Sequence, residues 1–203
     1  MDKRIVIGLD RDGVINQQLN NHCIKVEDFK PIPGSLESIV NLKKFNFAVV
    51  VMTDEPGIAR GEYSSYEVND IERHISKILW QKGEVDVDGY YHCPFQELDD
   101  NGRKPQIGMF KQIERELFLN FHKGYYVGDR MEDLQAAYNY NLTPILVRTG
   151  YGKLTEDRLK KPEHIELAAK TKIFNDLAAF QAWVCLKKLP PVSLTPAPHP
   201  IVE

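Results

Sequence analysis

Continuous apolar runs, not alternating ones, recur along the chain. RIVIGL (residues 4–9), FAVVVM (47–52), GYYH (89–92), GYYV (124–127) and TPILV (143–147) are each rich in β-branched or aromatic residues. Runs of this length and kind suit strands buried on both faces. Between them the period changes to that of a helix. Val68, Ile71, Ile75 and Ile78 step by three or four positions, as do Phe110, Ile113, Leu117 and Phe121. A third stripe, Ile173, Leu177, Phe180 and Val184, predicts a helix over residues 171–184. Strands alternating with helices imply parallel crossovers, hence an α/β fold around a central parallel sheet.

Such a sheet gathers its ligand chemistry at the carboxyl ends of its strands. The segments that follow the first four runs are DRDGVIN, TDEPGIARG, HCPFQELDDNGRKP and GDRMED. All four are polar and carry glycine or charge, and the topology brings them to one edge.

Composition narrows the partners. The 203 residues are 42% hydrophobic and 27% charged, enough for one globular unit with a sizeable core. A net charge of -3 supplies no basic field for nucleic acid or an anionic membrane, so a small molecule is the expected partner. A monomer is the expected state. Three dispersed cysteines, Cys23, Cys93 and Cys185, argue for a reducing compartment, and MDKRIVIGLD is too short and too charged for a signal sequence. A cytoplasmic location follows as the expectation. Residues 1–187 are expected to form the folded domain. Residues 188–203, with the proline-rich LPPVSLTPAPHP, are expected to form an extended tail.

The strand-end residues suggest chemistry. Asp10 and Asp12 flank one residue before Gly13, so one carboxylate can attack phosphorus while the other exchanges a proton. Asp129 and Asp133 add negative charge that invites a hard cation such as Mg²⁺. Thr53 can donate a hydroxyl to a phosphate oxygen, and Arg60, Arg103 and Lys104 can supply positive charge to phosphoryl transfer. Taken singly, each has a structural reading too, as an aspartate-rich turn or a helix cap. The coincidence of all four segments favours chemistry.

LDRDGVIN, the threonine ending VVVMT, RKP and VGDRMEDLQAA together resemble the four ordered motifs of the haloacid dehalogenase superfamily of phosphotransferases. TDEPGIARG, HCP and VRTGYG resemble, more narrowly, the D-glycero-D-manno-heptose 1,7-bisphosphate phosphatases and the related histidinol-phosphatase domains. The likeness spans residues 4–152. It implies a three-layer Rossmann-like fold with a minimal cap and a metal-dependent phosphomonoesterase acting on a sugar phosphate through an aspartyl-phosphate. It also implies roles: Asp10 as nucleophile, Asp12 as acid and base, Thr53 and Lys104 on the phosphoryl group, and Arg103 on the substrate. Asp10, the Asp12 carbonyl and Asp129 would hold Mg²⁺, with Asp133 in support. The implied setting is heptose supply for lipopolysaccharide or a related glycan.

The chain departs from these relatives in two places. Their Cys-Pro-His and Cys-x-Cys zinc loop is reduced to Cys93, with Phe95 at the histidine position and no cysteine in DDNGRK, so zinc is not expected. His92 and Cys93, adjacent at a strand end, should point to opposite faces. Their Thr-Asn-Gln-Ser-Gly-Ile becomes Thr53-Asp54-Glu55-Pro56-Gly57-Ile58. Asp54 and Glu55 are therefore expected to meet the substrate, either pairing with a cationic group, as in histidinol phosphate, or weakening phosphate binding. At an effective dielectric of about 20, two unit charges 4 Å apart repel by about 4 kcal/mol. A degenerate, non-catalytic scaffold is the alternative from another class.

Overall fold

The computed structural model describes residues 2–19, 23–95 and 102–188. Six strands form one parallel sheet: β1 (Val6–Leu9), β2 (Ala48–Asp54), β3 (Gly89–Cys93), β4 (Tyr125–Gly128), β5 (Thr143–Val147) and β6 (Lys172–Phe174). Their order is β3-β2-β1-β4-β5-β6, with every pairing parallel. The direction of winding reverses beside β1, the position at which an open parallel sheet leaves a crevice.

Helices cover both faces, which explains why the strands are apolar without alternation. On one side lie α1 (Ser35–Lys44), α3 (Ser65–Gly83) and α8 (Leu177–Leu186), packed on Ile7, Leu9, Val49, Val51, Val127, Ile145 and Val147. On the other, α4 (Gly108–Leu117) and α5 (Met131–Asn139) meet Val6, Val50, Met52 and Tyr126. Leu134, Leu146, Leu159 and Leu167 join α5 and β5 to α6 (Gly152–Leu159) and α7 (Ile165–Lys170). The result is a three-layer Rossmann-like fold. The four-residue α2 (Pro56–Ala59) and α3 connect β2 to β3, and no cap domain is inserted among the described residues.

Two of the helical stripes need correction. Phe118 takes a left-handed backbone (φ 53°) and ends α4, so Phe121 is not on its face. Phe121 is buried nevertheless, packing edge-on against Phe110 with ring centroids 5.3 Å apart. The helix expected over 171–184 is two elements. Lys172–Phe174 is the edge strand β6, Ile173 is half-exposed, and Asp176 caps α8 by accepting the Ala179 N–H at 2.8 Å. The residues of the 188–203 tail beyond Lys188, and the loop residues 96–101, lie outside the described residues.

Candidate active site

β1 ends at Leu9, and the Asp10 N–H bonds the Val127 carbonyl of β4 at 2.9 Å. This join sets Asp10 at the mouth of the crevice between β1 and β4. The chain then turns, with Ile15 and Asn16 N–H both bonded to the Arg11 carbonyl. Gly13 is required in this turn: its φ is +88°, and a Cβ there would lie 2.1 Å from Asp129 Oδ2. Gly150, at φ +56°, would crowd the same oxygen at 2.0 Å. The two glycines let the backbone close around the Asp129 carboxylate.

Lys104 is the hub of the site. Its Nζ donates to Asp10 Oδ1 at 2.7 Å, Asp133 Oδ1 at 2.6 Å and the Tyr126 hydroxyl at 3.1 Å, which uses all three ammonium protons. Tyr126 donates onward to the Met52 carbonyl at 3.2 Å. Burial disfavours the ammonium, but Asp10 and Asp133 hold its pKa well above the ordinary value. Burial drives the Asp10 carboxyl upward, opposed by Lys104 and reinforced by Asp133 and Asp129. Asp133 also accepts the Arg130 N–H at 3.0 Å through Oδ2. It therefore caps α5 and steadies Lys104 at once, so the cap and the functional role are compatible.

Asp129 is fully buried, with Oδ2 accepting the Tyr151 N–H at 2.7 Å and the backbone carbonyl accepting the Thr155 hydroxyl at 2.7 Å. Its Oδ1 has no hydrogen-bond partner among the described residues. Burial, with Asp133 nearby, pushes its pKa up to about 7. One oxygen from each of Asp10, Asp129 and Asp133 lies within 4.8 Å of the others. An orphaned buried carboxylate oxygen in an all-oxygen cluster fits a hard divalent cation such as Mg²⁺.

Asp12 faces the same cleft, its carboxylate gripped by Arg11 NH2 (2.7 Å), Arg11 Nε (3.2 Å) and Asn16 Nδ2 (3.0 Å). Thr53, Asp54, Arg103 and Lys104 line it as well. Asp54 Oδ1 lies 3.5 Å from the Lys104 N–H, and burial pushes its pKa up to about 6. The Thr53 hydroxyl donates to Glu55 Oε1 at 3.3 Å, so it must turn to reach a phosphate.

Two expected substrate contacts are not brought to the cleft. Glu55 is fully buried behind it, with Arg11 NH1 2.7 Å from Oε1 and the Tyr63 hydroxyl donating to Oε2 at 2.7 Å. Its charge is compensated internally and cannot meet a substrate cation. Arg60 is exposed and forks the Glu62 carboxylate at 2.7 and 2.8 Å, away from the cleft lining. Conversely, Gln18, Arg130 and Glu132 line the cleft without having been singled out. Arg11 and Arg130 lie within DRDG and GDRMED, next to the carboxylates that carry the phosphatase signature.

At the end of β3, Cys93 is buried on the α4 side among Met52 and Met109. The His92 ring reaches Ser65 Oγ (3.2 Å) and Glu72 Oε1 (3.5 Å) of α3. The two side chains point to opposite faces and do not converge on one ion.

Comparisons with known proteins give the family and the fold. A family model for HAD-hydrolase-like proteins matches residues 101–179. The D-glycero-beta-D-manno-heptose-1,7-bisphosphate 7-phosphatase of Photorhabdus laumondii is 36% identical over 157 residues, 73% of this chain and 82% of its own. That of Pseudomonas aeruginosa is 35% identical over 177 residues, 87% of this chain and 95% of its own. The crystal structure of D,D-heptose 1,7-bisphosphate phosphatase from B. bronchiseptica, complexed with magnesium and phosphate, superposes with a TM-score of 0.80 at 32% identity. That match covers 90% of this chain and 99% of the other. Identity at this level over most of both chains, with the acid cluster and lysine at the same sheet edge, places the chain in the D-glycero-beta-D-manno-heptose-1,7-bisphosphate 7-phosphatase family of HAD-like phosphoric monoester hydrolases.

Proposed function

We propose that this chain is a Mg²⁺-dependent phosphatase that removes the 7-phosphate of D-glycero-D-manno-heptose 1,7-bisphosphate through an aspartyl-phosphate on Asp10. The observation that carries the proposal is Lys104, which fixes the Asp10 carboxylate at 2.7 Å in a cluster where one oxygen each of Asp10, Asp129 and Asp133 lies within 4.8 Å of the others. An Asp10 oxygen bonds to phosphorus as the bond from phosphorus to the sugar oxygen breaks. Asp12 in its protonated form gives that proton to the departing oxygen and is left as the carboxylate that the Arg11 fork favours. Water then attacks phosphorus, its proton passes to Asp12, and the bond to Asp10 breaks to release phosphate. Lys104, on giving up one of its three present partners, and the turned Thr53 hydroxyl hold the equatorial oxygens.

Asp10, the Asp12 carbonyl and Asp129 would hold Mg²⁺, which would offset charge on the phosphoryl group. Asp133 acts through Lys104 and the α5 cap. Arg103 and Arg130 at the cleft suit the second phosphate of a bisphosphate. Asp54 in the same lining suits an ammonium group, as in histidinol phosphate.

Turnover of heptose 1,7-bisphosphate and histidinol phosphate in Mg²⁺ decides between these substrates. Phosphorus NMR of the first should show loss of the carbon-7 signal alone. Preference for histidinol phosphate, or loss of the carbon-1 phosphate, would overturn the assignment.

A further inference from the structure

Arg11 is a fully buried cation immediately beside the proton-transferring Asp12. Two of its nitrogens fork the Asp12 carboxylate, NH2 at 2.7 Å from Oδ2 and Nε at 3.2 Å from Oδ1. Its third nitrogen, NH1, lies 2.7 Å from Glu55 Oε1. Glu55 is equally buried, and its second oxygen accepts the Tyr63 hydroxyl at 2.7 Å. The Glu55 N–H in turn bonds the Cys93 carbonyl at 2.7 Å. A chain of hydrogen bonds, with an ion pair rather than a hydrogen bond at Arg11 NH1, thus runs from the ends of β2 and β3, through Glu55 and Arg11, to the carboxylate in the cleft.

The arrangement solves two physical problems together. A buried guanidinium is strongly unfavourable without a counter-charge, and Glu55 provides one that never faces the substrate. A planar fork on both carboxylate oxygens also fixes the rotation of Asp12, which a single point charge cannot do. Asn16 adds a third constraint at 3.0 Å.

We propose that Arg11 is a positioning residue for Asp12, and that Glu55, anchored by Tyr63, holds Arg11 in place. The inference rests on the acid role assigned to Asp12 above. A misplaced acid matters most when the leaving oxygen is a poor leaving group. Loss of positioning therefore shows as a dependence on the leaving group, which a general loosening of the fold does not produce.

The test compares kcat and KM on heptose 1,7-bisphosphate, a poor alkoxide leaving group, and on 4-nitrophenyl phosphate, a good one. Asp12→Asn serves as the reference, beside Arg11→Lys, Glu55→Gln and Tyr63→Phe. Arg11→Lys and Glu55→Gln should lower kcat/KM, which reports the transfer to Asp10 and not the later hydrolysis, by about 10- to 100-fold on the sugar phosphate, with a much smaller loss on the aryl ester. Tyr63→Phe should show the same pattern more weakly. Glu55→Gln and Tyr63→Phe preserve shape, so they carry the test if Arg11→Lys does not fold.

Equal losses of kcat/KM on both esters, or none, while Asp12→Asn retains the contrast, would overturn the positioning role alone. A flat response of Asp12→Asn itself would instead remove the acid role, and the proposal with it.

Discussion

Asp54 and Glu55 are neighbours in sequence with opposite fates. Asp54 faces the cleft, whereas Glu55 turns inward to Arg11 and Tyr63. The separation was not legible in the sequence, because the partner that neutralises Glu55 stands at position 11 and only the fold brings them together. The paired carboxylates Asp10 and Asp12 were legible because strand, turn and glycine lie within one short segment. For Asp54 the environment has a kinetic consequence. Its pKa of about 6 leaves it neutral in mild acid and ionised above neutrality, where it repels a dianionic phosphate. The KM for a phosphate ester should rise between pH 6 and 8 in the wild type. Asp54→Asn should flatten that rise and lower KM at pH 8 by about tenfold, a screened fraction of the repulsion between neighbouring unit charges. Parallel pH profiles for the two proteins would remove Asp54 from the phosphate's surroundings.

The turns after β1 and β5 are built around one carboxylate. Gly13 and Gly150 both take left-handed backbone conformations against Asp129 Oδ2. Gly150→Ala should therefore displace Asp129, lowering kcat at least tenfold and raising the Mg²⁺ concentration needed for half-maximal activity. An alanine variant with normal Mg²⁺ dependence would contradict this role. Strands were well marked in the sequence because burial on both faces leaves a continuous apolar run. The end of α4 was not, since Phe118 adopts its left-handed turn without a glycine to signal it. β6 was hidden for a different reason. Ile173 happens to continue the helical step of Leu177 and Phe180, although Asp176 between them is the true start of α8.

The sheet order brings the ends of β1, β2 and β4, and the approach of Lys104, to one crevice, concentrating acids that repel one another without a cation. Asp129, with its pKa near 7 against an ordinary 3.8, binds a proton more tightly in the folded chain than in the unfolded one. The sign follows from linkage: its protonation favours the fold, and that contribution is lost as pH rises from about 4 through 7. Metal-free protein should therefore melt at a lower temperature at pH 7.5 than at pH 5.5. Mg²⁺ should raise Tm more at pH 7.5, where it replaces the lost proton. Equal Mg²⁺ shifts at the two pH values would contradict the charge balance described for the cluster.

The central claim is that Asp10 is the nucleophile of a Mg²⁺-dependent phosphatase, held by Lys104 and set beside Asp129. The most direct measurement is phosphate release from a panel of sugar phosphates by wild type and Asp10→Asn, with Mg²⁺ and with chelator. The wild type should turn over in Mg²⁺, with a loss of at least a thousandfold in the folded variant and a loss in chelator. Turnover surviving in Asp10→Asn, or a folded wild type that releases no phosphate from any ester, would contradict the claim.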